Sequence, residues 1–423
     1  MKLDQENKFS SNKLLLLEWP FLIYGFLMSF WSSFGQTFFI SLFSNEIRNE
    51  LVLTHGDFGA YYAIATLTSA LILFWLGKFT DNVSVPWLSL LTLFGVSLSA
   101  FYFSTVNSVL TLTLGFLFLR LSGQGMMYMV YSTAITRRYN KIRGRALAIS
   151  GFGMNMAEAT FPILVIFALG LFSWRSIWVG LSLVAFFSFG PFVYWLTKNK
   201  PPLLDKNNFS KNSVNFISSV SINRNGVMKD SIFWLVIIWL TIIPAFTVTG
   251  LFFHQIYISE LKGIPLLIWS SNYFYYAVAA IFGAFLSGYL VDKFGAHMIA
   301  SITQLPMLLA CIILWFFSSN FFLAIFFVLF GLGSGMLQPM INSLLAERYG
   351  TRWLGEIKSL AMPLNVISSA FSPILMGFMI DAGSNLGHLM LLLVFFCLFS
   401  FMVSFISFNL LGMINPSKKC LSN

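Results

Sequence analysis

Two charged residues stand deep inside long apolar stretches: Arg120, just ahead of Gly123-Gln124-Gly125, and Glu158, one helical turn after Asn155. A guanidinium holds anions through paired hydrogen bonds, and a carboxylate taken out of water gathers a proton unless a cation offsets it. From segment starts near 109 and 145, Arg120 lies about 16 Å and Glu158 about 20 Å along a helix. Both depths fall near the middle of a hydrocarbon core about 30 Å thick. A charge there costs about 2.5–3.5 kcal/mol even on lenient insertion scales, so each needs a partner or a wet cavity. The expectation is an ion pair between adjacent antiparallel segments when the protein is empty. An anionic solute would then compete for Arg120, and the deserted Glu158 would take up a proton, which is anion–proton symport. The same residues also allow a fixed pair that only joins two helices.

Weaker polar side chains recur at helical spacing. Ser29, Ser33 and Gln36 share one face of the first apolar segment; Arg120, Gln124, Met127 and Tyr131 share one of the fourth. Thr247, Gly250 and His254 do so in the seventh, and Ser334, Gln338 and Asn342 in the tenth. Gln36, Gln124, Asn155, Gln338 and Asn342 join Arg120 and Glu158 as candidate substrate or coupling residues. Bonding between helices is the alternative for each. His254 lies near the end of its segment and is read as interfacial. Tyr61, Tyr62, Tyr273, Tyr275 and Tyr276 could stack a solute or simply fill space.

The elements that must position these residues follow from composition. Of 423 residues, 57% are hydrophobic and 9% charged, with mean hydropathy +0.80 and 49 Phe. Soluble domains carry about 25% charged residues, so this chain cannot cover a watery surface. Apolar runs near 19–43, 57–77, 86–105, 109–134, 145–171, 175–197, 232–256, 267–291, 296–318, 321–345, 355–380 and 387–411 are each long enough to cross a bilayer as a helix. The expected fold is an all-α membrane protein of twelve transmembrane helices. The first 18 residues are polar, and the run after Pro20 is too long for a cleavable signal.

The net charge of +10 is confined to short loops rather than one continuous face, which excludes nucleic acid as a partner. With the N-terminus inside, inside segments hold 21 of the 25 Lys and Arg; outside loops hold only Arg48, Arg175 and Lys262. That asymmetry assigns both termini to the cytoplasm. Cys311, Cys397 and Cys420 have no metal-like spacing, and Cys420-Leu-Ser-Asn fits a prenylation box badly. No cofactor is expected, and none of the four scattered histidines makes a metal pair. No phosphate-binding Gly-x-x-x-x-Gly-Lys-Ser/Thr occurs, so ATP is not the expected energy source.

The Asn/Ser/Lys-rich stretch 198–230 reads as a flexible cytoplasmic linker between residues 1–197 and 231–423, each a six-helix bundle. An internal repeat agrees. Gly77-x-x-x-Asp81 returns as Gly288-x-x-x-Asp292, and Gly123 and Gly125 return as Gly333 and Gly335. Arg138-Tyr139 returns as Arg348-Tyr349, and Pro162-Ile-Leu as Pro373-Ile-Leu, at offsets near 210. Parallel repeats of this kind build two pseudo-symmetric bundles with a cleft between them. Small residues at 123, 125, 333 and 335 let helix backbones approach closely in lipid. Pro162, Pro244, Pro339, Pro363 and Pro373 fall inside spans, as hinges or as static kinks.

Taken together these residues resemble the major facilitator superfamily. Gly77-x-x-x-Asp81 and Gly288-x-x-x-Asp292-x-x-Gly295 are similar to its loop signature, with Ser84 where a second Gly is usual. Arg120-x-x-Gly123-Gln124-Gly125 resembles its fourth-span motif, and the basic loop Arg137–Arg145 and Trp174-Arg175 are similar too. The drug-antiporter Gly-Pro signature is missing from span five. A weaker likeness is to the oxalate–formate and monocarboxylate branch, whose span-eight cation has no counterpart between Lys262 and Lys293. The resemblance implies secondary active transport of a small organic solute by rocker-switch alternating access, with spans one, four, seven and ten lining the cavity. It also implies a gate in which Asp81 and Asp292 bond neighbouring helix N-termini, with Gly77 and Gly288 shaping the turns. The expected partners are a small-molecule substrate, protons and the lipid bilayer, for a monomer in the cell membrane of the bacterial inner-membrane kind. An enzyme is not expected. A transport-inactive sensor or assembly factor on the same scaffold is the alternative reading.

Overall fold

In the computed structural model, residues 19–76, 83–139, 143–198, 222–350 and 353–410 are described, and every regular element among them is helical. Ten of these helices are long and apolar enough to cross a membrane, and a pair bent by 51° at Gln36 makes an eleventh. The remaining expected span, His55–Leu76, is a helix of 22 residues, about 33 Å long. The chain forms two compact units, residues 1–51 with 64–217 and residues 52–63 with 218–423.

In the first unit, α1 (Trp19–Trp31) runs into a 3₁₀ turn, Ser32–Gly35. Gln36 is extended (φ −89°, ψ 150°), and the chain resumes as α2 (Thr37–Ile40) and α3 (Ser44–Leu51). Span one is therefore broken, whereas one continuous helix was expected, and Gln36 does not continue the face of Ser29 and Ser33. After α4 (His55–Leu76) come α5 (Val85–Ser104) and α6 (Val109–Leu119). Ser108 starts α6 by accepting from the Thr111 backbone N–H, and the Thr111 hydroxyl accepts in turn from the N–H of Ser108. Span four then departs from α geometry: Arg120–Met127 is π-helical before α7 (Tyr128–Arg138). The wider turn slips the register, so Arg120 and Met127 are buried while Gln124 stays partly exposed. α8 (Arg143–Leu169) lies along α1, followed by α9 (Trp174–Val184) and, after a π turn, α10 (Gly190–Lys198).

In the second unit, the end of the stretch read as a flexible linker is folded. α11 (Arg224–Met228) is capped by Asn223, and Ile222 and Val227 join a buried cluster with Phe233, Leu344 and Tyr349. Asp230, fully buried, accepts from Arg348 Nε at 2.7 Å, Arg348 Nη2 at 3.1 Å and the Tyr349 hydroxyl at 2.7 Å. Apolar residues inside a polar stretch, ending in an acid that meets a buried cation, tie this segment down. Residues 199–221 lie outside the described residues.

α12 (Ile238–Phe253) leads through His254 to α13 (Gln255–Leu261); α14 (Leu266–Ser271) and α15 (Tyr273–Phe294) follow. α16 (Ala296–Ile299), α17 (Leu305–Phe316), α18 (Asn320–Tyr349), α19 (Leu354–Asp381) and α20 (Leu386–Ser404) complete the unit. α15 and α18 meet most extensively, because Gly331 and Gly335 bring α18 against the carbonyls of Tyr276 and Ala280. Hydroxyls of Ser368 and Ser372 on α19 donate to the carbonyls of Ile242 and Phe246 on α12. Such small-residue contacts and interhelical hydrogen bonds hold helices together where lipid removes the hydrophobic drive. The helices run unbroken through Pro162, Pro244, Pro339, Pro363 and Pro373.

Candidate functional site

The site in the first unit begins with a close approach of two irregular backbones. A Cβ on Gly35 would stand 2.3 Å from the Leu119 carbonyl oxygen and 2.4 Å from the Gln124 nitrogen. One on Gly123 would stand 2.7 Å from the Gly35 nitrogen. Only hydrogen fits at either position, so the 3₁₀ break of span one nests into the π stretch of span four. The break frees the Gly35 carbonyl, and Arg120 Nη1 donates to it at 3.0 Å. Arg120 is 2% exposed. An unsatisfied carbonyl in this setting costs about 1–3 kcal/mol, and a buried guanidinium without acceptors costs more. The arginine therefore answers the carbonyl that the break frees.

Glu158, on α8 and partly exposed, takes a single long hydrogen bond from Asn155 Nδ2 at 3.5 Å. The expected Arg120–Glu158 ion pair is not formed: among the described residues no cationic group reaches Glu158. The reason is local. Span four turns Arg120 onto the broken backbone of span one, an acceptor that no sequence spacing announces. Gln36 at the break and Gln124 in the π stretch are partly exposed, and their side-chain amides make no hydrogen bond among the described residues. One turn along from Glu158, Phe161 meets Phe30 of α1 at 4.8 Å between ring centroids, and Phe30 stacks on Phe26.

The polar residues of the second unit behave differently. Gln338 is exposed and donates to Asn342 Oδ1 at 3.4 Å, one turn along α18. Tyr276 donates to Ser334 Oγ at 3.0 Å and Tyr273 to Gln255 Oε1 at 2.8 Å, so two of the span-eight tyrosines are tied to neighbours. His254, expected at the interface, is buried: it fills the break between α12 and α13, its Nε2 3.2 Å from the Pro373 carbonyl oxygen.

Of the loop motifs, Gly77 and Asp81 lie outside the described residues. Gly288 faces open space, and Asp292 is exposed with no hydrogen bond from its side chain among the described residues. The expected contact between a carboxylate and a helix N-terminus exists in this loop, but Glu347 makes it. Its oxygens accept from the backbone N–H of Ala296 at 2.6 Å and of His297 at 3.3 Å. A second such contact, equally unread in the sequence, joins Asp381 at the end of α19 to the first turn of α4. Asp381 accepts from the His55 N–H at 3.0 Å and the Gly56 N–H at 2.7 Å, and His55 lies edge-on to Tyr257 at 4.8 Å. A terminal Asp on one helix and unsatisfied N–H groups on another, 325 residues apart, give no local signal.

The sequence model of the Major Facilitator Superfamily matches residues 25–373 and again 257–416. Among curated proteins no sequence matches significantly. Solved structures do. A bacterial homolog of the human lysosomal transporter Spinster, inward-facing and unoccupied, superposes with TM-score 0.66 at 16% identity, covering 94% of this chain and 95% of its own. Its occupied form gives 0.64 at 16% identity, with 96% of each chain covered. The nucleoside transporter NupG, in a point-mutant form, gives 0.68 at 13% identity over 92% of this chain and 100% of its own. At such identities the likeness shows the fold alone. With the family match across most of the sequence and helices that span a membrane many times, the chain belongs to the Major Facilitator Superfamily of membrane transporters.

Proposed function

We propose that the protein is a secondary active transporter of a small organic solute, coupled to protons and working by rocker-switch alternating access. The observation that carries this reading is Glu158, a carboxylate at membrane depth with one weak hydrogen bond and no cation beside it among the described residues. Such a group is costly to retain unless it serves a pathway. Broken backbone at membrane depth is tolerated where it is buried in protein or lines a cavity, and the break at Gln36 with its partly exposed amide fits a solute contact. Gln124 and Asn155 in the first unit, and Gln338 and Asn342 in the second, are the remaining proposed contacts. The Spinster homolog and NupG being transporters supports transport as the class, without naming a solute.

The anionic half of the sequence expectation loses its main support, because Arg120 serves the Gly35 carbonyl. Gating is assigned to carboxylates on helix N-termini. Asp381 on α4 acts on the outer side, and the loop carrying Asp292, with Glu347, acts on the cytoplasmic side. Both termini and the stretch 198–230 are cytoplasmic, as the Lys and Arg asymmetry argues.

Uptake into proteoliposomes at two pH values, against a panel of organic solutes of either charge, tests the reading. Accumulation driven by a proton gradient is expected, with the pH dependence lost in Glu158→Gln. Equal, gradient-independent equilibration in both proteins would remove proton coupling.

A further inference from the structure

Resting on the transporter reading, we infer that Glu158 is the recognition point for a positively charged organic solute, an ammonium or similar cation, which enters by displacing the proton that the carboxylate otherwise carries. Charge at one depth leads to this. Within the first unit, only Arg120 and Glu158 are charged well inside the spans. Arg120 is turned away to the Gly35 carbonyl and buried. An anion approaching the partly exposed face of α8 would therefore meet a carboxylate and no available guanidinium.

The helices against α8 supply nothing else positive at that level. α1, with Tyr24, and α2 carry no charge. α7 carries Tyr128 and Tyr131 within it, and Arg137 and Arg138 only in its last turn, Arg138 lying over the Phe21 ring. α9 has Arg175 in its first turn, paired with Glu50. On α8 itself the nearest basic residue is Arg145, about 20 Å away along the helix.

What lies near Glu158 suits a cation. Asn155 presents an amide whose oxygen is an acceptor. Phe161, one turn along, is buried and packs on the partly exposed Phe30 of α1 at 4.8 Å between ring centroids. Aromatic faces attract ammonium groups, most strongly when water is excluded. In the empty protein a proton neutralises the carboxylate. When a permanent cation arrives, the proton leaves to water and the carboxylate keeps its single negative charge against the solute. Proton and solute then alternate on one group, which makes the coupling an exchange rather than a symport.

The test uses the purified full chain and benzyltrimethylammonium, a cation with no proton of its own, so any proton released comes from the protein. In weakly buffered detergent solution near neutral pH, about one proton per bound cation is expected from a single carboxyl. The infrared band of a protonated carboxyl should fall with the same titration. Glu158→Gln should abolish the release and the band change and weaken binding at least tenfold, while Glu158→Asp should restore the release. Phenylacetate and neutral neopentylbenzene should cause no release. Cation binding unchanged in Glu158→Gln, a band that no member of a panel of organic ammonium ions moves, or a response to sodium alone would each overturn the inference. Proteoliposome flux separates this from the underlying reading. Phenylacetate uptake that is indifferent to organic cations leaves a transporter and removes the cation site. Proton release without flux of any solute keeps the site and removes transport.

Discussion

Replacing Gly35 by Ala tests the seam between span one and span four. The added Cβ would lie 2.3 Å from the Leu119 oxygen and 2.4 Å from the Gln124 nitrogen, where ordinary contact begins at 3.4 Å. Both neighbours are backbone, so one segment must retreat by about 1 Å and stretch the Arg120–Gly35 bond. Overfilling a close-packed site costs about 1–3 kcal/mol. For a unit of roughly 200 residues that lowers the melting temperature by about 2–12 °C. Gly151 and Gly180 are internal controls, since a Cβ at either meets nothing within 4 Å. There Ala should be neutral or stabilising by roughly 0.5–1 kcal/mol, as in any helix interior. The assay is thermal unfolding of the three purified variants in one detergent, followed by size-exclusion chromatography. The double change Gly35→Ala with Gly123→Ala should cost less than the sum, because one displacement of the seam relieves both. If Gly35→Ala melts with Gly151→Ala, the two backbones are not in contact and the role given to Arg120 fails with it.

A double-mutant cycle between Arg120→Gln and Glu158→Gln should return a coupling under about 0.5 kcal/mol, because the two side chains are not paired; a value above about 2 kcal/mol would restore the ion pair. Arg120→Gln alone should destabilise by about 1–3 kcal/mol by leaving the Gly35 carbonyl unmet, read as a fall in melting temperature, and a silent substitution would contradict the cap. Asp381→Asn removes the charged acceptor for His55 and Gly56, so hydrogen exchange of the peptide spanning 52–63 should quicken about fivefold, from a loss of about 1 kcal/mol; unchanged exchange would show that the contact holds nothing. Single cysteines at Lys206 and Lys262, in a cysteine-free background, should be labelled by an impermeant reagent from opposite faces of the membrane, and labelling of both from outside would refute the orientation.

The membrane class, the long apolar helices and the parallel repeat were legible in the sequence, because hydropathy and loop charge are local properties that each segment carries regardless of its neighbours. The same holds for the short list of polar residues at membrane depth: Arg120 and Glu158 stand out wherever the chain folds. Their partners were not legible. No Pro marks the break at Ser32–Gln36 or the π stretch at Arg120–Met127, and their Ser, Gly and Gln residues read as a polar helix face as readily as a break. Both exist because Gly35 and Gly123 let two backbones meet, and that is a property of the pair rather than of either helix. Once they meet, the freed carbonyl claims Arg120, and Glu158 is left with Asn155. The polar stretch ending at Asp230 looked like linker until Arg348 and Tyr349, 118 and 119 residues on, buried it. Asp381 and Glu347 likewise gained their roles only when another helix brought its unsatisfied N–H groups within reach. Segment identity is written locally, but which buried polar group answers which is decided only when distant backbone is brought into contact.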